Sequence, residues 1–280
     1  MVDVDGVELC LETFGDPADP AVLLIGGATA SMDCWEPEFC SRLADGGRFV
    51  VRYDHRDTGR STAFPAGRPG YSFQDLATDP LRILDALGIP RAHLVGVSMG
   101  GGIAQYLAAH HPERVRTITL IATSSAGERA TAAALPPPEP RLQKLFENPP
   151  PAPAWADRGA VITHLVEEER AYAGSLGFDE QRARRIAGVV VDRARDVEAS
   201  TTNHWILGGE PAPFRLADLA VPTLVLHGTD DPFFPFEHGR ALAKGIPGAR
   251  LVALEGMGHE VPPPALWDVV VREILRHTGT

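Results

Sequence analysis

The sequence predicts an α/β fold: a mostly parallel sheet with helices on both faces, interrupted by one helical insertion. Three observations carry that expectation. Short runs that are apolar at consecutive positions recur along the chain, as in "AVLLI", "FVV" and "HLVGV", and strands of this kind are buried on both faces. Segments with helical periodicity alternate with them, which is the pattern of a parallel sheet covered on both sides. One long stretch, residues 124–215, holds no convincing buried strand.

Taken in order, "VDVDGVELCLETFG" alternates apolar and polar residues and turns at Asp5-Gly6, a hairpin signal. "AVLLIGG" (21–27) is an apolar strand ending in two glycines, and "RFVVRYD" (48–54) is the next strand. "FQDLATDPLRILDALGI" sets Leu76, Ile83, Leu84 and Leu87 on one face; Pro80 interrupts it, so the main helix is expected to begin near that residue. "HLVGV" (93–97) is a third strand, followed by "MGGGIAQYLAAHHPERV", a helix with Ile103, Tyr106 and Leu107 on one face and a stop at Pro112. "RTITLIAT" (116–123), "PTLVLHG" (222–228) and "ARLVALEG" (249–256) read as further buried strands. "PALWDVVVREILRHT" spaces Leu266, Val270 and Ile274 as a closing helix.

Within the insertion, "ALPPPEPRLQKLFENPPPAPAW" is proline-dense and the stretches around "AVITHLVEEERAYAG" and "DEQRARRIAGVVVDRA" are helix-like. A disordered linker is the bland reading of such prolines. Trp155, Leu165, Tyr172, Ile186 and Trp205 need something to bury against, which favours a helical cap. The expected organisation is a core of residues 1–123 and 216–280 with a cap over 124–215.

Composition narrows the function. The chain has 280 residues, 44% hydrophobic and 22% charged, with a formal net charge of −11. That balance suits a soluble domain and argues against a nucleic-acid partner, which needs a basic face. No apolar run approaches the ~20 residues of a membrane span, and "MVDVDGVELC" lacks the pattern of a signal peptide. Cys10, Cys34 and Cys40 have no zinc-like spacing and read as reduced thiols of a cytoplasmic protein. No HExxH or paired-cysteine cluster points to a metal, and no GxGxxG follows the first strand to point to a nucleotide, so no cofactor is expected.

The chemistry concentrates at Gly96-Val97-Ser98-Met99-Gly100. In a chain with 28 glycines this pattern is weak alone, and Ser98 could be a plain turn residue. Its context is that of a nucleophile elbow, a tight strand-to-helix turn that presents a serine. A serine hydroxyl needs a base, and the base an orienting acid, which in this architecture come later in the chain as acid and then histidine. His259, in the glycine-rich "LEGMGHEVPP", is the candidate base; His227 still belongs to its strand and His238 starts a helix. The acid is one of the adjacent pair Asp230 and Asp231. Attack on an ester creates an oxyanion that backbone amides receive, here those of Met99 and of the loop after "LLIGG", at Ala28. Asp54, Arg56, Asp57 and Arg60 in "YDHRDTGRS" read as a hydrogen-bonded loop beneath the catalytic face.

"GVSMG", "HGTDDP", "GMGH" and the "RYDHRDTGRST" loop fall in register along the chain, which resembles the α/β-hydrolase superfamily over essentially its full length. That resemblance implies a mostly parallel eight-stranded sheet and a cofactor-free hydrolase of carboxylic esters, with Ser98 as nucleophile, His259 as base, Asp231 (before Pro232, a context that related loops share) as acid, and Ala28 and Met99 as the oxyanion hole. Gly26 stands where such loops carry a histidine. "FGDPADPAVLLIGG", "RLADGG" and "MGHEVP" look most like the aclacinomycin methylesterase type, whose members cleave a methyl ester on an aromatic polyketide. The expected partner is therefore a small hydrophobic ester, bound under Trp155, Tyr172, Trp205, Phe233, Phe234 and Phe236. Perhydrolase chemistry on the same triad, or ligand binding with little turnover, are the alternatives.

Overall fold

The computed structural model describes residues 1–4, 6–127, 135–209 and 212–279. Its strands are β1 (Val2–Val4), β2 (Val7–Leu9), β3 (Leu11–Phe14), β4 (Ala21–Ile25), β5 (Phe49–Tyr53), β6 (Ala92–Val97), β7 (Val115–Ile121), β8 (Thr223–Gly228) and β9 (Arg250–Leu254). Seven of them form one sheet in the order β3-β5-β4-β6-β7-β8-β9, with β3 antiparallel to β5 and the other pairings parallel.

The expected eight strands become seven because the first hairpin stands apart. β1 and β2 pair only with each other, Val2 with Leu9 and Val4 with Val7, around a turn whose Asp5 lies outside the described residues. At Cys10 the N–H donates to Ser61 Oγ at 2.9 Å and the carbonyl accepts from the Asp54 amide at 2.8 Å. Glu8 likewise exchanges hydrogen bonds with Thr62. The loop after β5 thus takes the backbone groups that would have continued the sheet.

The central strands are buried almost throughout, and their alternation sorts the core into two layers. Leu23, Ile25 and Leu94 face α2 (Phe73–Ala86) and α3 (Met99–His110), packing with Leu76, Ile83, Ile103 and Leu107. Val22, Leu24 and Val95 face the other way, toward Phe39 and Leu43 of α1 (Pro37–Asp45) and Trp267, Val270 and Ile274 of the closing helix (Trp267–Thr278). β9 departs from expectation: it is an edge strand, partly exposed along most of its length, rather than a buried one.

Helix α2 also departs. It starts at Phe73, well before Pro80, because Ser72 and Asp75 form a reciprocal capping box, and it runs through the proline. Two such satisfied donors outweigh the single backbone bond that Pro80 forgoes.

Between β7 and β8 the described residues hold no strand. They form α4 (Pro140–Glu147), α5 (Arg158–Ala171), α6 (Glu180–Arg193) and α7 (Val197–Thr202). Residues 128–134, 210 and 211, which the expected cap includes, lie outside the described residues. Asp157, Asp179 and Asp196 cap α5, α6 and α7 with their carboxylates. Helices α5 and α6 share a small apolar core of Ile162, Val166, Ala183 and Ala187. α8 (Glu237–Gly245) follows β8, and the closing helix is α9. No described helix is long and apolar enough to cross a membrane.

Candidate active site

The loops at the carboxyl ends of β4, β6, β8 and β9 converge on one cavity. Ser98 sits between β6 and α3 at φ 52° and ψ −118°, a left-handed conformation that is rare for a residue with a side chain. Its neighbours make the turn feasible. A Cβ on Gly96 would lie 2.2 Å from the Gly100 carbonyl oxygen, and one on Gly100 would lie 2.3 Å from that of Ile25. Glycine at both places lets α3 start hard against the end of β4. The Ser98 amide donates to Ile121 O at 3.0 Å and its carbonyl accepts from Thr123 Oγ1 at 2.7 Å, so the strained residue is held from both sides.

His259 Nε2 lies 3.0 Å from Ser98 Oγ, and its Nδ1 lies 2.9 Å from Asp231 Oδ2. Asp231 Oδ1 accepts the amides of Phe233 and Phe234 at 2.9 and 2.8 Å, which fixes the carboxylate. Burial pushes the Asp231 carboxyl up, but the charge and hydrogen bond of His259, with His227 and the Phe234 amide, hold it below the ordinary carboxylate value. Asp230 turns away and accepts the Ser175 amide at 3.2 Å. His227 donates from Nε2 to Phe234 O at 2.8 Å, and His238 bonds Ser124 and Pro136; neither reaches Ser98. The imidazole of His259 is boxed by Phe233, Phe234 and Tyr172, with ring centroids 4.9, 5.3 and 5.7 Å away.

Ala28 follows Gly27, whose Cβ position would be 3.5 Å from the Cβ of Ser98. Among the described residues the Ala28 and Met99 amides donate to no protein acceptor.

The cavity over Ser98 has a volume of about 290 Å³. Tyr172, Trp205 and Phe233 line it as expected, but Trp155, Phe234 and Phe236 do not. Trp205 is 61% exposed at the edge of the cavity rather than buried. The wall also carries charge that the sequence reading missed: Glu168, Glu169, Arg182 and Glu260. Burial pushes the Glu260 carboxyl up to about 7 and Glu169 upward too, while Arg182 is engaged by Glu36 at 2.7 Å. No pattern in the sequence marks these residues, because α5, α6 and the loop after β9 meet only in three dimensions. The Asp54 loop proves to be an anchor: Arg56 pairs with buried Asp79 at 2.7 Å, Asp57 accepts Tyr71 and Asn203, and Asp54 binds Arg193 from the end of α6. Arg60, the fourth charged residue of that loop, is exposed. Among the described residues no three His, Cys, Asp or Glu side chains are grouped so as to hold a metal ion.

Sheet order and loop placement define a class. Residues 20–263 match the family described as alpha/beta hydrolase fold, and the chain belongs to that family. More particularly, it is 37% identical over 298 residues to rhodomycin D methylesterase DauP of Streptomyces sp. (strain C5), covering 99% of this chain and 97% of that protein. It is 35% identical over 297 residues to rhodomycin D methylesterase DnrP of Streptomyces peucetius, with the same coverage. Among solved structures it resembles an enol-lactonase from Burkholderia xenovorans LB400, with a TM-score of 0.75 and 25% identity over 99% of this chain and 98% of that one. These relatives agree with the resemblance to the aclacinomycin methylesterase type.

Proposed function

We propose that this protein is a serine esterase that cleaves a methyl or other short-alcohol ester of a bulky hydrophobic acid. The observation that carries the reading is the unbroken line Ser98–His259–Asp231 opening into a cavity with Tyr172, Trp205 and Phe233 in its walls. Similarity over nearly the full chain to two methylesterases supports the same choice of ester.

In this mechanism Ser98 Oγ attacks the ester carbonyl carbon while His259 Nε2 takes the hydroxyl proton. The carbonyl electrons move onto oxygen, and the Ala28 and Met99 amides stabilise that charge. Collapse of the tetrahedral intermediate breaks the bond to the alcohol oxygen, which leaves with the proton from His259. Water then attacks the acyl-serine by the same route, and the acid is released. Asp231 keeps the proton on Nδ1, so that Nε2 is free to accept.

Residues 124–215 act as a cap in this reading, because α5, the residue Tyr172 that follows it, and α6 supply Leu165, Tyr172, Ile186 and Val190 to the cavity wall. The volume stands at the lower end of ligand pockets, which run ~300–1,000 Å³. A polycyclic acyl group therefore fills the cavity and extends past exposed Trp205. The formal net charge of −11 disfavours an anionic acyl group.

The test is kcat/KM across p-nitrophenyl esters from acetate to octanoate, together with methyl esters of polycyclic aromatic acids. Each buried methylene contributes about 0.8 kcal/mol, so the values should climb with acyl size. A steady fall from acetate onward, with no turnover of any bulky methyl ester, would leave a small-ester hydrolase instead.

A further inference from the structure

The loop after β4 is gripped by two buried histidines, and one of them comes from the inserted segment. His55 Nε2 lies 3.1 Å from Gly26 O; a carbonyl only accepts, so Nε2 carries the proton and donates. His204 Nε2 lies 2.9 Å from Arg56 O and donates in the same way. Its Nδ1 is then an acceptor, and it takes the Thr29 N–H at 2.8 Å. A neutral Nε2–H imidazole is the one state of His204 that satisfies both contacts. Burial favours that state, lowering His204 and bringing His55 down to about 3. The two rings stand edge to face, 5.8 Å apart.

These bonds bracket the peptide that matters. His55 fixes the carbonyl of Gly26 and His204 fixes the amide of Thr29, a residue at φ 65°. Between them the Gly27 carbonyl accepts the Ala30 amide at 3.3 Å. In a trans peptide the N–H points opposite to the carbonyl. The Ala28 N–H is therefore aimed by its flanking contacts, not by any bond of its own.

His204 lies in a short 3₁₀ turn, Asn203–Trp205, that is seated on the core by its neighbours. Asn203 donates to Asp57 Oδ2 at 2.9 Å and accepts the Gly67 amide at 2.8 Å, while Trp205 lines the cavity.

We infer that His204 is a positioning residue for the oxyanion-binding loop, so that the oxyanion hole is complete only when the inserted segment is seated on the core. The inference rests on the esterase reading above, in which the Ala28 amide receives the oxyanion. It predicts that the segment does more than shape the pocket: it aligns backbone that acts on the transition state.

The experiment compares the wild type with His204→Ala and His204→Asn on one p-nitrophenyl ester, with melting temperatures recorded for all three. Loss of an oxyanion donor costs ~10²–10³ in kcat, so His204→Ala should lose about that much while KM stays within about threefold. The Asn side-chain oxygen can reach the Thr29 amide, so His204→Asn should recover at least about tenfold over Ala, the recovery expected if part of that donor effect returns. Equal losses in both variants, or a rise in KM with kcat unchanged, would overturn the inference. Nitrogen-15 NMR of the folded wild type gives a second test that does not depend on a variant folding. His204 should show the Nε2–H tautomer and no titration between about pH 5 and 8, where an ordinary histidine titrates; an Nδ1–H tautomer or a midpoint near 6.5 would overturn the inference. Failure of the esterase reading is separable, because the wild type would then form no adduct with a fluorophosphonate at Ser98.

Discussion

Ser98 combines a left-handed backbone with a hydroxyl that meets His259, and the strain is borne by hydrogen bonds from Thr123 and to Ile121. The adjacent carboxylates have unlike surroundings. Asp231 faces the imidazole, whereas Asp230 holds Ser175 of the inserted segment. Asp231→Asn should therefore cost on the order of 10⁴ in kcat by favouring the wrong imidazole tautomer, and Asp230→Asn far less; kinetics of the two variants check this, and the reverse ranking would contradict it. Glu260 makes a pH prediction. Its folded value, raised by burial to about 7, exceeds the ordinary one, so the folded state holds the proton more tightly. Its contribution to stability is present below the ordinary value of about 4.5 and is lost as pH rises through about 7. Glu260→Gln should melt close to the wild type at pH 5 and above it at pH 8, and a gap that does not widen with pH would count against this. At this scale the local motifs were legible once their strand and helix context was read: "GVSMG" lies between an apolar strand and a helix, and "GMGH" follows a strand. His204 was not, since 175 positions separate it from the Thr29 amide it holds.

Elements were readable where the helical period was clear. α3, α5 and α6 match their patterns, whereas α4 was hidden among prolines even though Pro140 at its first turn is a helix-start signal. α2 was misplaced by weighting Pro80 over the Ser72–Asp75 box. β9 reads as apolar but lies at an edge, which an apolar run alone cannot distinguish from a centre. The contact between the end of α5 and the loop after β9 depends on glycine. The His259 amide donates to Tyr172 O at 2.9 Å, and a Cβ on Gly258 would lie 2.2 Å from that oxygen and 2.4 Å from the Gly174 nitrogen. Gly258→Ala should displace His259, and misplacement by ~1 Å can cost ~10²-fold in rate. Activity within threefold of the wild type would show that the loop absorbs the methyl group.

At the scale of the whole molecule, charge pairs tie the inserted segment to the core. Arg182 and Arg185 hold Glu36, and Arg193 holds Asp33 and Asp54. Because the Asp54 side chain is fully buried, removing Arg193 leaves a carboxylate short of its counter-charge. Arg193→Met should destabilise the protein by on the order of 3 kcal/mol in urea titration; a change below ~1 kcal/mol, the worth of an exposed pair, would mean the pairing is superficial. The mostly parallel sheet could be anticipated from alternating strands and helices. Which charges close the seam could not, because both sides of each pair come from distant segments. All of this geometry serves one claim, that Ser98 is the covalent nucleophile of an ester hydrolase. Intact-mass and peptide mapping after treatment with a fluorophosphonate tests it most directly. A single adduct on Ser98, absent in Ser98→Ala together with a loss of at least ~10³-fold in kcat, is the predicted result; an adduct that persists in Ser98→Ala would contradict it.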